Sequence, residues 1–76
     1  MANRIIHGAR REGSAKSDET GTTWCGREID ERNITTGTPG DVADALAGYG
    51  TRAGDTRRGC RQCIAAAETF ARKGYR

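Results

Sequence analysis

The sequence predicts a single small α+β domain, with a short β-hairpin or three-stranded sheet packed on a C-terminal helix and one short additional helix. Runs of β-branched and aromatic residues lie in the first third of the chain, whereas the longest helical pattern lies at its end. The chain has 76 residues, of which 34% are hydrophobic and four are Phe, Trp or Tyr, so it buries little apolar surface. We therefore expect a staple in addition to the hydrophobic core.

The predicted hairpin joins two short strands. Arg4-Ile5-Ile6-His7 has two β-branched residues before the only histidine, and Thr22-Thr23-Trp24-Cys25 has strong strand character. The polar, glycine-containing residues 8–21 between them are expected to form a loop. Gly26 can take the tight backbone conformation that turns main-chain N–H groups towards the Cys25 sulfur. A third short strand is predicted around Ile34.

A short helix is predicted in the middle of the chain. Gly37-Thr38-Pro39-Gly40 is a turn by composition, Asp41 is the expected N-cap, and Gly48 is the expected end. The buried face of this helix would consist of Val42, Ala45 and Leu46. The glycine-rich residues 48–59 are expected to be the most mobile, and residues 41–59 as a whole resemble an insertion in the domain.

The C-terminal helix is predicted over residues 60–73, with Gly74 ending it. One stripe at a spacing of 3.6 residues contains Cys60, Cys63, Ile64, Ala67, Phe70 and Ala71. Both cysteines of this stripe are therefore expected on the buried side of the first turn.

The three cysteines and the single histidine form one complete set of tetrahedral zinc ligands. Cys60-Arg61-Gln62-Cys63 places two thiolates within reach of one ion at a helix N-terminus, which favours negative charge. Cys25 and His7 are the remaining sulfur and imidazole donors. Four protein ligands with no open position are typical of a structural zinc site. We therefore predict zinc as the cofactor and the staple, with Trp24 packed over it.

Two other uses of the cysteines stay open. A redox Cys-x-x-Cys would fit the helix N-terminus, although no apolar strand of a thioredoxin-like unit precedes it. A nucleophilic cysteine with His7 as its base has less support, since neither a Gly-rich phosphate motif nor a paired-carboxylate pocket is evident. We expect that the protein is not an enzyme and has no small-molecule substrate.

The chain carries Ile-His in the first strand, Thr-Trp-Cys-Gly-Arg in the following turn, and Cys-Arg-Gln-Cys at the start of an Ala-rich helix. This arrangement resembles the small Cys3His zinc-binding proteins of actinobacteria and their bacteriophages. The resemblance implies that His7, Cys25, Cys60 and Cys63 are the zinc ligands, and it implies a phage origin. The chain departs from that pattern by its long segment at residues 41–59.

The expected location is the cytoplasm of a bacterial host cell. The chain shows no apolar core of signal-peptide length and no apolar run long enough to cross a membrane. An odd number of cysteines also favours a metal over disulfides, and hence a reducing compartment. No membrane partner is expected.

The last 21 residues carry the excess positive charge. They hold six Lys or Arg against Glu68 alone, a local charge of +5 in a chain whose net charge is +3. Such an asymmetry attracts an anionic partner. We hypothesise a zinc-finger-like phage regulatory protein that binds DNA or RNA through its basic C-terminal helix. The candidate contacts are Arg57, Arg58, Arg61, Arg72, Lys73 and Arg76.

Two alternatives to nucleic-acid binding stay open. A zinc ion with three thiolates and a neutral histidine carries net negative charge, which Arg57, Arg58 and Arg61 could neutralise locally. The other alternative is a module that binds and modulates a host or partner protein. Its anchors would be Tyr49, in a Gly-flanked turn, together with Leu46, Arg52 and Tyr75.

Overall fold

The computed structural model describes residues 4–13 and 15–73, in which four strands form one sheet and two helices pack together beside it. The predicted α+β class is confirmed. The elements in chain order are β1 (Arg4–Arg11), a 3-10 helix (Lys16–Asp18), β2 (Glu19–Thr23), β3 (Ile34–Thr35), α1 (Pro39–Gly48), β4 (Arg57–Gly59) and α2 (Arg61–Ala71).

Strand β1 pairs with each of the other three strands. It runs antiparallel to β2 and parallel to β3 and β4. The Ile6 carbonyl accepts a hydrogen bond from the Cys60 N–H, and the Gly8 carbonyl accepts one from the Trp24 N–H. The chain segments that leave β4 and β2 are therefore both attached to the middle of β1, on either side of His7.

The hairpin is longer than the sequence predicts. β1 continues to Arg11 and β2 begins at Glu19, so the predicted loop over residues 8–21 shrinks to residues 12–18. The Arg11 guanidinium pairs with the Glu19 carboxylate at 3.0 Å across the two strands. This pairing and the backbone ladder outweigh the low β-propensity of the polar residues.

Helix α1 begins earlier than predicted, and Asp41 is not its N-cap. Thr38 holds that position: its hydroxyl oxygen accepts a hydrogen bond from the Asp41 N–H at 3.3 Å. Pro39 follows at the first helical position, where its missing N–H costs nothing. The helix includes Gly48 rather than stopping before it, and Tyr49 is its C-cap.

The face of α1 that meets the rest of the domain contains Val42, Ala43 and Leu46. Ala45, which the sequence places on that face, is exposed. The backbones approach closely, because a Cβ at Gly8 would overlap the Val42 side chain and a Cβ at Gly59 would overlap the Leu46 carbonyl. We call this close approach of α1 to Gly8 and Gly59 the α1 seam.

Strand β4 is absent from the sequence prediction, which treats residues 48–59 as a mobile glycine-rich segment. Its three residues, Arg57–Gly59, pair in register with Arg4, Ile5 and Ile6 of β1. Two arginines and a glycine have little strand propensity of their own, so the pairing partner supplies the stabilisation. Residues 41–59 thus provide both the helix of the α1 seam and a strand of the sheet.

Helix α2 starts at Arg61, one residue later than predicted, with Cys60 as its N-cap. Cys63 and Ala67 are fully buried, while Ile64 and Phe70 are partly buried against the core. The helix ends at Ala71 rather than Lys73, and the predicted stop at Gly74 lies outside the described residues. Neither α1 nor α2 is long and apolar enough to span a bilayer.

Candidate metal centre

The four predicted ligands come together at the middle of β1. His7 lies in the strand, Cys25 follows β2, Cys60 follows β4, and Cys63 lies in the first turn of α2. Their ligand atoms all lie within 4.8 Å of one another. The fold therefore collects donors from four separate positions into one cluster, which we call the metal cluster.

The separations of the His7 imidazole from two of the sulfurs fit a tetrahedral ion. His7 Nδ1 lies 3.4 Å from Cys25 Sγ and 3.7 Å from Cys63 Sγ. With a Zn–S distance of about 2.3 Å and a Zn–N distance of about 2.0 Å, tetrahedral geometry requires about 3.5 Å between nitrogen and sulfur. Nδ1 is thus the imidazole nitrogen that faces the sulfurs. The donor set of three sulfurs and one imidazole is also chemically suited to zinc.

The turn after β2 presents the Cys25 sulfur. Gly26 has φ +90°, the conformation expected for this position, and the Thr23 N–H donates to the Arg27 carbonyl at 2.8 Å. The buried Thr23 hydroxyl oxygen accepts from the Arg27 N–H at 3.0 Å and lies 3.1 Å from Cys25 Sγ. Its proton is therefore free to point at the sulfur, which favours the thiolate.

Hydrogen bonds decide the acidity of Cys25. Burial alone would raise the pKa of its thiol, but the hydrogen bonds from Thr23, Cys63, the Arg27 N–H and Cys60 together outweigh burial and lower that pKa. Cys25 thus becomes a thiolate, the form that binds metal, more readily than Cys63 does.

Cys63 has the opposite environment. Its side chain is fully buried, and burial raises the pKa of its thiol to about 11, although the Gly8 N–H acts in the other direction. At neutral pH, without an ion, this group is a neutral thiol. A bound cation would displace the proton, so metal binding and proton release are coupled at Cys63.

His7 is prepared as a neutral ligand. Burial lowers its pKa, the nearby Arg27 charge lowers it further, and the Asp30 carboxylate acts in the opposite direction. The backbone N–H of His7 donates to the backbone carbonyl of Asn33 at 2.9 Å, and this bond fixes the strand that carries the imidazole. The Asp30 carboxylate in turn accepts hydrogen bonds from the backbone N–H of Arg32 and from the side-chain amide of Asn33.

Trp24 lies beside this cluster in the core. It is 7% exposed, it shares a hydrophobic cluster with Cys63, and its ring centroid is 5.3 Å from that of Phe70. The Arg10 guanidinium covers the ring at 5.4 Å. Trp24 was predicted beside the site because it directly precedes a ligand in the sequence. The supporting roles of Thr23 and Arg27 were not predicted, since the sequence shows only that both residues are close to Cys25.

The basic residues predicted as nucleic-acid contacts do not form one surface. Arg57, Arg58 and Arg61 lie at β4 and the start of α2, whereas Arg72 lines a depression with Asp41, Asp44 and Glu68. Lys73 lines a separate groove with Arg10, Trp24 and Phe70. Arg76 lies outside the described residues. The acidic neighbours of Arg72 offset its charge, so the positive potential is concentrated near β4.

The fold brings two further arginines, Arg4 and Arg52, close to β4, which the sequence did not predict. Arg4, Arg52 and Arg57 line one depression, and Arg58 and Arg61 line the neighbouring one with Leu46, Tyr49 and Ile64. We call these five arginines the β4 surface. Among the described residues, Asp55 is the one acidic side chain that lines either depression.

Among residues 4–13 and 15–73, no side-chain hydrogen bond or ion pair joins the β4 surface to a donor of the metal cluster. Arg57 pairs with the Asp55 carboxylate at 3.1 Å and lies over the Tyr49 ring at 4.8 Å from its centroid. Within residues 4–13 and 15–73, the side chains of Arg58 and Arg61 have no hydrogen-bond or ion-pair partner. The arginine whose charge lowers the pKa of His7 is Arg27. Local neutralisation of the cluster is therefore better assigned to Arg27.

The predicted protein-interaction anchors are only partly available. Leu46 is 1% exposed and belongs to the core, so its prediction as a surface anchor was wrong. Tyr49 is half-buried, its hydroxyl forms a hydrogen bond with Thr35 at 3.0 Å, and Arg57 covers its ring. Arg52 is exposed, and Tyr75 lies outside the described residues.

Comparison of the chain with models of protein families, with curated proteins and with solved structures finds no match. Inferences about function therefore rest on the metal cluster and the β4 surface themselves.

Proposed function

We propose that the metal cluster binds zinc as a structural ion and that the domain binds nucleic acid through the β4 surface. The donor set supports zinc, because three sulfurs and one imidazole that lie within 4.8 Å of one another can fill all four coordination positions. With no position left for water or substrate, a bound zinc ion would cross-link β1, the turn after β2 and α2. The phage regulatory role that the motif resemblance implies stays a prediction.

The zinc assignment has a direct test. Native mass spectrometry of the purified protein should show one zinc ion per chain. Cys63→Ser should abolish stoichiometric binding, whereas Ala65→Ser, which adds a hydroxyl on the exposed face of the same helix, should retain it. A folded protein without metal, or one that selects a different metal when several are offered, would contradict the assignment.

The distribution of charge carries the nucleic-acid proposal. Five arginines from β1, the α1–β4 segment, β4 and α2 line two depressions, to which Asp55 alone among the described residues supplies negative charge. Arg4, Arg52, Arg58 and Arg61 have no side-chain partner within the described ranges. Guanidinium groups without protein partners are suited to phosphate oxygens, and their attraction for nucleic acid is independent of sequence.

Fluorescence anisotropy at two salt concentrations tests this proposal. We expect zinc-loaded protein to bind random duplex DNA or single-stranded RNA, with an affinity that falls steeply as salt is added. The triple variant Arg57→Ser, Arg58→Ser, Arg61→Ser should bind at least about tenfold more weakly and should reduce the salt slope by about 2 to 3.

The matched control removes the same charge elsewhere. Arg32→Ser, Arg72→Ser and Lys73→Ser combined change three exposed cations outside the β4 surface. This variant should bind within a few-fold of wild type. An equal loss in both triple variants would show a dependence on net charge alone and would contradict a localised interface. No binding of the wild type at low salt would contradict the proposal altogether and direct the search to protein partners.

A further inference from the structure

We infer that the depression lined by Arg4, Arg52 and Arg57 is a binding site for a phosphate group. The inference rests on the proposed function for the source of that phosphate, a nucleic-acid strand. The depression is open and has a volume of about 590 Å³, and its other lining residues are Ala53, Gly54, Asp55 and Thr56. Neither Arg4 nor Arg52 was among the predicted nucleic-acid contacts, although Arg52 was a predicted anchor for a protein partner.

Two chain segments, the start of β1 and residues 52–57, bring the guanidinium groups to this depression. Arg4 opens β1 and is paired in register with Arg57, and its N–H donates to the Thr56 carbonyl at 3.2 Å. Arg52 lies in a turn closed by a hydrogen bond from the Asp55 N–H to its carbonyl at 3.1 Å. The backbone at all three arginines is therefore held by hydrogen bonds.

Asp55 holds Arg57 in position within this group. Its carboxylate accepts from the Arg57 N–H at 2.9 Å and from the guanidinium Nε at 3.1 Å. It also accepts from the Gly50 N–H at 3.1 Å. The same guanidinium lies over Tyr49, whose hydroxyl is bonded to Thr35. Arg57 thus has a defined orientation, which reduces the entropy lost when it binds a ligand.

The charge balance favours an anion with several acceptor oxygens. Asp55 neutralises one arginine, so two positive charges remain, and Arg4 and Arg52 lack side-chain partners within residues 4–13 and 15–73. Guanidinium groups present paired donors that match the oxygens of a phosphate. The alternative is that the three side chains are simply hydrated cations on the surface. The two interpretations differ in whether a phosphate binds at saturable occupancy.

A phosphate titration followed by amide NMR shifts separates them. Inorganic phosphate is added to zinc-loaded protein at constant ionic strength while the amides of Gly54 and Thr56 are observed. We expect saturable shifts at millimolar phosphate. Arg52→Ser should weaken the apparent affinity by about fivefold or more, and Arg52→Lys, which keeps the charge without the paired donors, should be intermediate. Arg32→Ser should match wild type.

The outcomes distinguish this inference from the proposed function. Shifts that do not saturate, or that are equal in Arg52→Ser and wild type, would overturn the phosphate site. If Arg52→Ser binds an oligonucleotide as tightly as wild type does, the site is overturned although nucleic-acid binding stands. If phosphate saturates the site but the wild type binds no oligonucleotide at low salt, the site stands with a free anion as its ligand, and the proposed function fails.

Discussion

The metal cluster and the α1 seam lie on neighbouring residues of β1, His7 and Gly8, yet they require different features of the chain. The cluster requires particular atoms, and two of its donors, on His7 and Cys63, are 56 positions apart in the sequence. The seam requires the absence of atoms, because a Cβ at Gly8 or Gly59 would overlap α1. A donor is recognisable from its residue type, whereas a glycine reveals its packing role only once its neighbour in space is known.

The two regions also differ in how they contribute to stability. The buried hydrophobic residues include three alanines and one cysteine, so the core that the α1 seam closes is small. A zinc ion held by the metal cluster would join residues near the two ends of the chain across long loops, whose closure is costly in entropy. Loss of the cluster should therefore affect the whole domain, whereas a substitution in the seam should cost only the packing energy of the side chains and backbone that it displaces.

Removal of the metal should have the largest effect. Structural zinc contributes about 10–16 kcal/mol in zinc-finger peptides, which matches or exceeds the total stability of most small domains. We expect Cys63→Ser, or wild type treated with excess chelator, to lose its cooperative thermal unfolding transition. Circular dichroism during heating measures this.

Ala65→Ser is the matched control for that experiment and should unfold as wild type does. An unchanged unfolding temperature after verified metal removal would show that the α1 seam and the rest of the core suffice. The α1 seam and the core, rather than the metal cluster, would then contribute most of the stability of the domain.

The sequence identified the metal cluster but not its surroundings. All four donors were predicted because three cysteines and one histidine leave few combinations, and the α+β class followed from the strand and helix patterns. Strand β4 was missed because Arg57–Gly59 is a strand only through its pairing with β1. Arg4 and Arg52 were missed for the same reason: their proximity to Arg57 is created by that pairing and by the turn at Asp55.

The start of helix α1 was predicted wrongly for a different reason. Both Thr38 and Asp41 are good N-cap residues, so their residue types alone do not rank them. Pro39 decides between them, since proline is favoured immediately after the cap. The earlier start adds a turn to the helix, and the face that packs contains Ala43 in place of Ala45.

Within the α1 seam, Gly59→Ala should have the next largest effect. The added methyl group would meet the carbonyl carbon and oxygen of Leu46, which are backbone atoms and cannot rotate away. We expect a loss of about 3 kcal/mol in the unfolding free energy of the zinc-loaded protein, at the upper end of the cost of overpacking. Urea denaturation followed by tryptophan fluorescence measures this loss.

Gly48→Ala is the control, because a Cβ there meets nothing within 4 Å and the residue lies inside α1. That substitution should stabilise the protein slightly, by up to about 1 kcal/mol, since alanine is the better helix former. Equal effects of the two substitutions would refute the close approach at Gly59.

A smaller effect should come from Thr23, which supports the metal cluster from outside. Thr23→Val keeps the shape of the side chain but removes the hydroxyl that lies 3.1 Å from Cys25 Sγ and accepts from the Arg27 N–H. We expect zinc affinity to fall by about 10-fold to 100-fold, as is typical when a group that hydrogen-bonds to a ligand is lost. Competition with a chromophoric chelator measures the affinity.

Thr22→Val removes the neighbouring hydroxyl, whose partner is Thr20 at the surface, and should leave zinc affinity unchanged. If both valine variants bind zinc as wild type does, the metal cluster depends on its four donors alone. Its contrast with the α1 seam would then become sharper, because no other part of the turn would matter to it.

The smallest effect should come from Asp55, which belongs to neither region and is held by local hydrogen bonds. The Arg57 side chain, the Arg57 N–H and the Gly50 N–H lower the pKa of this carboxyl from the usual 3.8 to about 2. The folded-state pKa lies below the unfolded one, so the contribution of Asp55 to stability is complete above the unfolded pKa and is lost as the pH falls through the folded one. Asp55→Asn should produce this loss at neutral pH.

For Asp55→Asn we expect faster hydrogen exchange at the Gly50 and Arg57 amides with little change in global unfolding, because the carboxylate is near the surface. Asp44→Asn, on the exposed face of α1, should change neither amide. A fall in global stability as large as that of Gly59→Ala would mean that residues 50–57 unfold together with the α1 seam rather than independently of it.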